Sequence, residues 1–425
     1  MVSAPANRGA RHPTSSEVTC RIAIAGAGPV GSSLALALAR AGVPVTLVDA
    51  SDAQPLEASG HGARPIALSE GSRRILAALD VWGAISQSVT PITRIHVSDR
   101  GHFGFARLAA EDFGLDALGY VIGAASLERA LHAQLQSLDA VHVLRPARVD
   151  DVQSERASGV RLSITDAAQN VAHAHVEASL VVLCDGGRSP LRERLGIPAS
   201  ERDYGQRAVV AEVEARCAHR GVAYERFTAD GPLAVLPLRG NHCAVVWSAD
   251  ADRTERLLSL GDDAFLGALT EQFGMRLGGF VSAGPRSAFA LSLVTASRVV
   301  GERLAVIGNA ANHLHPVAGQ GLNLGLRDAA ALAEIVAGCV REGGDPGDAA
   351  VLERYAEWRR RDQKVVARAT DALVRLFSNR FAPLVLARDM GLLAFDLMPP
   401  VKRYFGAHAM GLAGRQSRLT RGLGA

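Results

Sequence analysis

The sequence predicts an α/β protein in which a Rossmann-like unit is interrupted by a second, β-rich sheet and followed by C-terminal helices. Three observations predict it. A strand, a glycine turn, a helix, a second strand and an acidic residue succeed one another within residues 21–49. Two later strands each run into a turn of small or acidic residues, at 181–192 and 304–311. The stretches between them are β-prone, and the chain reads helical from about 346 onward.

The first element is Arg21–Ala25, an alternating β-prone run. Gly26-Ala27-Gly28-Pro29-Val30-Gly31 follows, then an Ala/Leu helix over Ser32–Ala41 and a strand, Val43–Val48, that ends at Asp49. Gly26 permits a tight turn, Gly28 admits a pyrophosphate to the backbone, and Gly31 lets helix and strand pack closely. The helix N-terminus presents unpaired N–H groups to the phosphates. Asp49, eighteen residues beyond Gly31, is placed to accept from a ribose hydroxyl. The order therefore predicts a bound dinucleotide, with NAD and FAD both compatible.

The second element, Val181–Leu183, leads into Cys184-Asp185-Gly186-Gly187 and puts a carboxylate and flexible backbone at a strand's C-terminal edge. The third, Leu304–Ile307, ends in Gly308-Asn309-Ala310-Ala311. After His313 and His315, the loop Pro316–Gln320 opens a helix running from about Gly321 to Val340. Gly319 and Gly321 permit close approach to a flat ligand, and the helix N–H groups suit a ring edge that becomes negative on reduction.

Composition bounds the rest. The 425 residues are 48% hydrophobic and 21% charged, an ordinary globular balance with room for two or three domains. A net charge of +3 over this length is no nucleic-acid footprint. The five cysteines are widely spaced and form no Cys-x-x-Cys pair, which fits a reducing cytoplasm. His313 and His315 lack a third ligand and read as loop histidines, so no metal site is expected. No run of about 18 apolar residues predicts a membrane span. Residues 1–18 read as a disordered polar leader rather than a signal peptide.

The three segments resemble, in order and spacing, the class A flavoprotein monooxygenases of the para-hydroxybenzoate hydroxylase fold. Within them the chain is similar to the ubiquinone-biosynthesis hydroxylases of the 2-polyprenyl-6-methoxyphenol hydroxylase (UbiH) type. Ala63–Ser69, His96–Gly104, Leu118–Val121 and Gly308–Asp328 carry the likeness, which extends over about Arg21 to Gly411.

The resemblance implies FAD as the cofactor. Gly26, Gly28 and Gly31 would hold its pyrophosphate, Asp49 its adenosine ribose, and Arg129 would lie along its phosphates. Asp185 and Gly186 would form a second cofactor fingerprint. Gly308 would belong to the cofactor site and Asn309 would meet the ribitol; Asn309 stands where most of the superfamily has Asp, a departure typical of the ubiquinone subgroup. Pro316, Gly319, Gly321, Leu322 and Asn323 would line the isoalloxazine, with Arg64 near flavin or substrate. His315 and Gln320 would contact substrate or oxygen. The implied reaction is hydroxylation of a polyprenyl phenol by O2 through a flavin C4a-hydroperoxide, with NAD(P)H as electron donor.

Two alternatives fit the same residues: a same-fold hydroxylase of a small aromatic or secondary metabolite, and a non-catalytic FAD-binding scaffold in a quinone-biosynthesis complex. A flavin halogenase is not expected, because it needs a lysine near the flavin from the N-terminal half and a Trp-x-Trp-x-Ile-Pro motif, whereas the two lysines are Lys364 and Lys402 and the motif does not occur.

The expected domains are a discontinuous FAD-binding domain (19–90, 112–205 and 285–345), a substrate domain (91–111 and 206–284) and a helical region (346–425). After Asp396 no acidic residue occurs, while Lys402, Arg403, Arg415, Arg418 and Arg421 add five positive charges. Two readings stand for this end: a segment lying peripherally on the inner face of an anionic membrane, or a core-packing helix with a solvated basic tail.

Overall fold

A computed structural model of the chain describes residues 16–51, 64–155, 159–169, 172–314, 319–377 and 382–425. Among these residues the strands form three sheets. The first has a parallel centre, ordered Leu304–Val306, Ala172–Leu183, Ser16–Ala25, Val45–Val48 and Val141–Leu144. Where both faces are covered the strands are apolar, over residues 22–25, 180–183 and Leu304–Val306. Ile22 and Ile24 pack under the helices Pro29–Arg40, Ala124–Gln136 and Gln320–Arg341. Ala23 and Ala25 pack on the other side, under the antiparallel pair Ala147–Glu155 and Gly159–Asp166. The first strand begins at Ser16, so residues 16–18 of the expected leader belong to the sheet, paired in register with 174–176. Residues 1–15 lie outside the described residues.

The second sheet is antiparallel for most of its width and has nine strands. Helices Ala251–Ser259 and Asp262–Phe273 cover one face, over a core of Trp247, Phe265 and Phe273. Val222–Thr228 pairs in parallel with Arg94–Asp99, which joins the stretches around residues 91–111 and 206–284 into one sheet. Its longest strands overrun the expected boundaries. Ala199–Ala215 crosses 205/206, and Ser287–Ala296 lies entirely beyond 284, yet the two pair with each other. A strand joins the sheet its partner belongs to, and that partner is about 90 residues away in sequence. A small third sheet, Pro65–Ser69, Gly119–Gly123 and Thr90–Ile92, bridges the two large ones.

Three helices close the chain: Ala349–Phe377, Ala382–Leu397 and Pro399–Ala409. The final residues do not form a solvated basic tail. Leu419 is buried in the core beneath the parallel sheet's helices, Arg415 stacks on Trp358 at 3.9 Å, and the Arg418 amide donates to Glu334. No described helix is long and apolar enough to cross a membrane.

Candidate active site

The glycine turn is built by steric necessity. Gly26 has φ +105°, and a Cβ there would lie 2.5 Å from the Cys184 carbonyl oxygen. A Cβ on Gly31 would fall 2.0 Å from the Gly26 carbonyl oxygen, so only glycine lets the helix sit this close to the strand. Gly28 differs, since a Cβ there would meet nothing within 4 Å. Its side opens on a large cavity lined by Gly26, Gly28, Pro29 and Val30. Gly28 is also the helix N-cap, with no side-chain cap and no acidic residue in the first turn. The helix's free N–H groups and positive end are thus left for an anion.

Asp49 lies where the sequence places it, at the cavity wall. Its carboxylate accepts from the Ala27 N–H at 2.5 Å and the Ser51 N–H at 2.9 Å, and from the Ser51 hydroxyl. Arg145 stands 3.2 Å away. Burial works to raise its pKa, but the Ser51 and Ala27 hydrogen bonds and Arg145 together hold it below the usual carboxylate range. It therefore stays ionised and keeps lone pairs free for a diol.

The other expected residues divide into three groups. Arg64, Asp185, Gly186, Asn309, Gly319, Gln320, Gly321, Leu322 and Asn323 all line the same cavity. Arg64 lies 5.2 Å over the Phe289 ring, a residue the sequence did not single out. Asp185 is raised by burial, against the 2.7 Å hydrogen bond that it accepts from Ser189 and the nearby Arg192. His315 and Pro316 lie outside the described residues. Gly308 and Arg129 are not at the cavity wall. A Cβ on Gly308 would meet Val30 at 3.2 Å, so this glycine packs its turn against the first helix from behind. Arg129 points outward on its helix, where the apolar positions Leu127, Ala130 and Leu131 take the buried face; its neighbour Glu128 is the side chain that reaches the cavity.

Asn323 lines the cavity, but its amide bonds to the protein. Its Oδ1 accepts from the Ser69 N–H at 2.8 Å and the Ser72 hydroxyl at 2.7 Å. Its Nδ2 donates to the Ala67 and Gly319 carbonyls at 2.9 and 2.7 Å. The amide's hydrogen-bonding capacity is spent on protein. Asn323 positions the Gly319 loop against the strand Pro65–Ser69 instead of holding a ligand by its amide. Gln320 likewise donates to the Ala409 carbonyl, 3.3 Å away on the last long helix.

The Gln320–Arg341 helix begins at Gly319, again with no side-chain cap and no acid in its first turn. Two uncapped helix N-termini therefore face one cavity of about 1330 Å³. Single-ligand sites span roughly 300–1,000 Å³, so this volume suits a dinucleotide and a second molecule together. Beyond Arg64 and His313 its wall becomes apolar, with Ile95, Val97, Val210, Leu236, Phe289 and Leu392 among its members. His313, expected as a loop histidine, ends the short strand Asn312–His313 and lines this junction, and burial, Arg64 and Arg188 favour its neutral form by lowering its pKa.

Comparison with known proteins matches this geometry. The family described as FAD binding domain matches residues 19–370. The chain is 40% identical over 413 residues to "Ubiquinone hydroxylase UbiL" of Rhodospirillum rubrum, covering 96% of this chain and 94% of that one. It belongs to the ubiquinone-hydroxylase family of FAD-dependent monooxygenases. The "3-demethoxyubiquinol 3-hydroxylase" of Escherichia coli is 30% identical to this flavin monooxygenase over 401 residues, 92% of this chain and 98% of that one. Among solved structures, p-nitrophenol 4-monooxygenase PnpA from Pseudomonas putida DLL-E4 shares the fold at 19% identity. Its TM-score is 0.76, over 94% of this chain and 100% of that one. The open cradle at Gly28, the two uncapped helix N-termini and the ionised Asp49 fit FAD.

Proposed function

We propose that this FAD-dependent monooxygenase hydroxylates the ring of a polyprenyl phenol in ubiquinone biosynthesis, using O2 and electrons from NAD(P)H. The observation that carries the reading is the continuity of the cavity. One space joins the phosphate cradle at Gly28 to an apolar chamber under the second sheet and the last two long helices. Bound FAD supplies the redox chemistry and oxygen activation that side chains lack. The chain's own tasks are to hold the cofactor, to place an electron-rich ring beyond Arg64 and His313, and to keep water out. A chamber walled by leucine, valine, isoleucine and phenylalanine accepts a prenyl chain at little desolvation cost.

The same two helices support a peripheral membrane seat. Ala387, Gly391, Leu392 and Phe395 of the helix Ala382–Leu397 line the chamber. Leu386, Met390 and Leu397 recur at helical spacing on another face and are 56%, 55% and 79% exposed. A large outward apolar patch above an apolar chamber is what a substrate dissolved in lipid requires. The folded-back basic end is not needed for this seat.

The test is to incubate the yellow protein with NAD(P)H and a 2-prenylphenol. We expect reductant consumption that depends on the phenol, and a product heavier by one oxygen. Oxidation triggered equally by hydrophilic phenols favours a small-aromatic hydroxylase, and none at all favours a scaffold. Co-sedimentation with anionic vesicles is expected for the parent and lost with Leu386→Gln, Met390→Gln and Leu397→Gln together. Equal sedimentation of both removes the patch from the reading.

A further inference from the structure

Strand register across the second sheet produces a continuous row facing the chamber: Ala106, Val97, Glu225, Ala234, Val246 and Val210. All six line the cavity, they come from six different strands, and five are apolar. The exception sits inside the row, not at its edge. On its own strand Glu225 shares the cavity face with Ala223 and Phe227. Among the described residues its carboxyl takes no hydrogen bond and no ion pair.

A carboxyl in such a wall lowers stability, so a sheet under selection for packing alone would carry valine or leucine there. Burial by itself pushes its pKa up to about 7. Among the described residues, the other charged and titratable side chains lining the cavity are Tyr224 beside Glu225, Arg388, whose guanidinium is paired with Asp99, and, toward the cofactor end, Arg64, His313, Asp185, Cys184, Asp49 and Glu128.

We propose that Glu225 is the group that receives the ring hydroxyl of the phenolic substrate. This rests on the reading of the substrate as a prenylated phenol. The carboxylate accepts the phenol O–H, fixing which ring edge turns to the cofactor. Drawing the proton toward the carboxylate also leaves more electron density on the ring, which favours attack by an electrophilic oxygen. Should the proton pass fully, it moves from phenol oxygen to carboxylate oxygen and leaves a phenolate, with no other bond changed.

The experiment compares a 2-prenylphenol with its O-methyl ether, which has no O–H to donate. Binding is followed on the FAD-loaded protein by the change in flavin absorbance, without turnover. The parent is expected to bind the phenol about 10- to 100-fold more tightly than the ether, the range of a hydrogen bond to a charged group. That preference should grow as pH rises through about 7, where Glu225 ionises. Glu225→Leu should bind both compounds alike, at any pH, and Glu225→Gln should keep a small, pH-independent preference. Both variants should melt no lower than the parent, because an apolar or neutral side chain suits this wall better. A Glu225→Leu protein that keeps the full preference overturns the proposal. A parent that binds neither compound overturns the substrate reading, and this assignment with it.

Discussion

The two ends of the cavity are made of different material. The cofactor end is backbone: glycine turns, two helix N-termini, and one carboxylate held by amides. The chamber end is side chains from a wide sheet and from helices near the C-terminus. A backbone-built site tolerates few residue types and is specified by neighbours in sequence. A side-chain-built site tolerates many, provided the wall stays apolar, and is specified by pairing between distant strands.

The largest effect should come from testing the backbone end against itself. Gly31→Val drives a side chain into the Gly26 carbonyl, whereas Gly28→Ala adds a methyl to open space. Gly31→Val is expected to yield little folded protein and almost no bound flavin. Gly28→Ala should fold with an apo-protein stability within about 0.5 kcal/mol of the parent, the usual range for a change that touches nothing. Its defect should appear only as weaker FAD retention on dialysis, read from absorbance per chain. Equal loss of apo-protein stability in both would erase the distinction between packing and ligand glycines.

At the chamber end, Arg388 anchors the helix Ala382–Leu397 to the second sheet. It pairs with Asp99 and donates to the Leu376 carbonyl at 3.0 Å, and both charged side chains are buried. Removing one member of a buried pair strands the other's charge, at about 3–5 kcal/mol. Arg388→Met should cost that much in denaturant unfolding and expose the helix to proteolysis. Adding Asp99→Asn should restore most of it. A single variant as stable as the parent would show that apolar packing alone holds the helix.

The smallest effect concerns pH. His96 stacks on Phe105 in the second sheet, and burial, with Arg276, Arg107 and Arg226, pushes its pKa down to about 4. The folded protein keeps it neutral, while the unfolded chain protonates it near pH 6.5. Its contribution is therefore complete above about 6.5 and is lost as pH falls from there toward 4. His96→Phe should flatten the decline in melting temperature between pH 7.5 and 5. An unchanged slope would place that pH dependence elsewhere.

These contrasts explain what could be read early. The spacing of Gly26, Gly28 and Gly31 and the position of Asp49 are local facts, and the structure keeps the local geometry they imply. Asn323 was visible as part of a motif, but its four partners come from Ala67, Ser69, Ser72 and Gly319, and no local pattern announces that closure. Glu225 had a faint signal, since alternation along Val222–Thr228 puts it on the face of Ala223 and Phe227. That signal means little until register shows Val97 and Ala234 beside it.

The sequence by itself determined the order of the elements, the dinucleotide turn and the family, because glycine sterics and strand–turn–helix periodicity act over a few residues. Only the tertiary structure decided that Ala199–Ala215 and Ser287–Ala296 share a sheet, that Asn323 is spent on protein, that the basic end folds back, and that one carboxyl faces the apolar chamber. Each of these depends on which distant strand or helix lies alongside, and that is settled by burying apolar faces together across the whole chain.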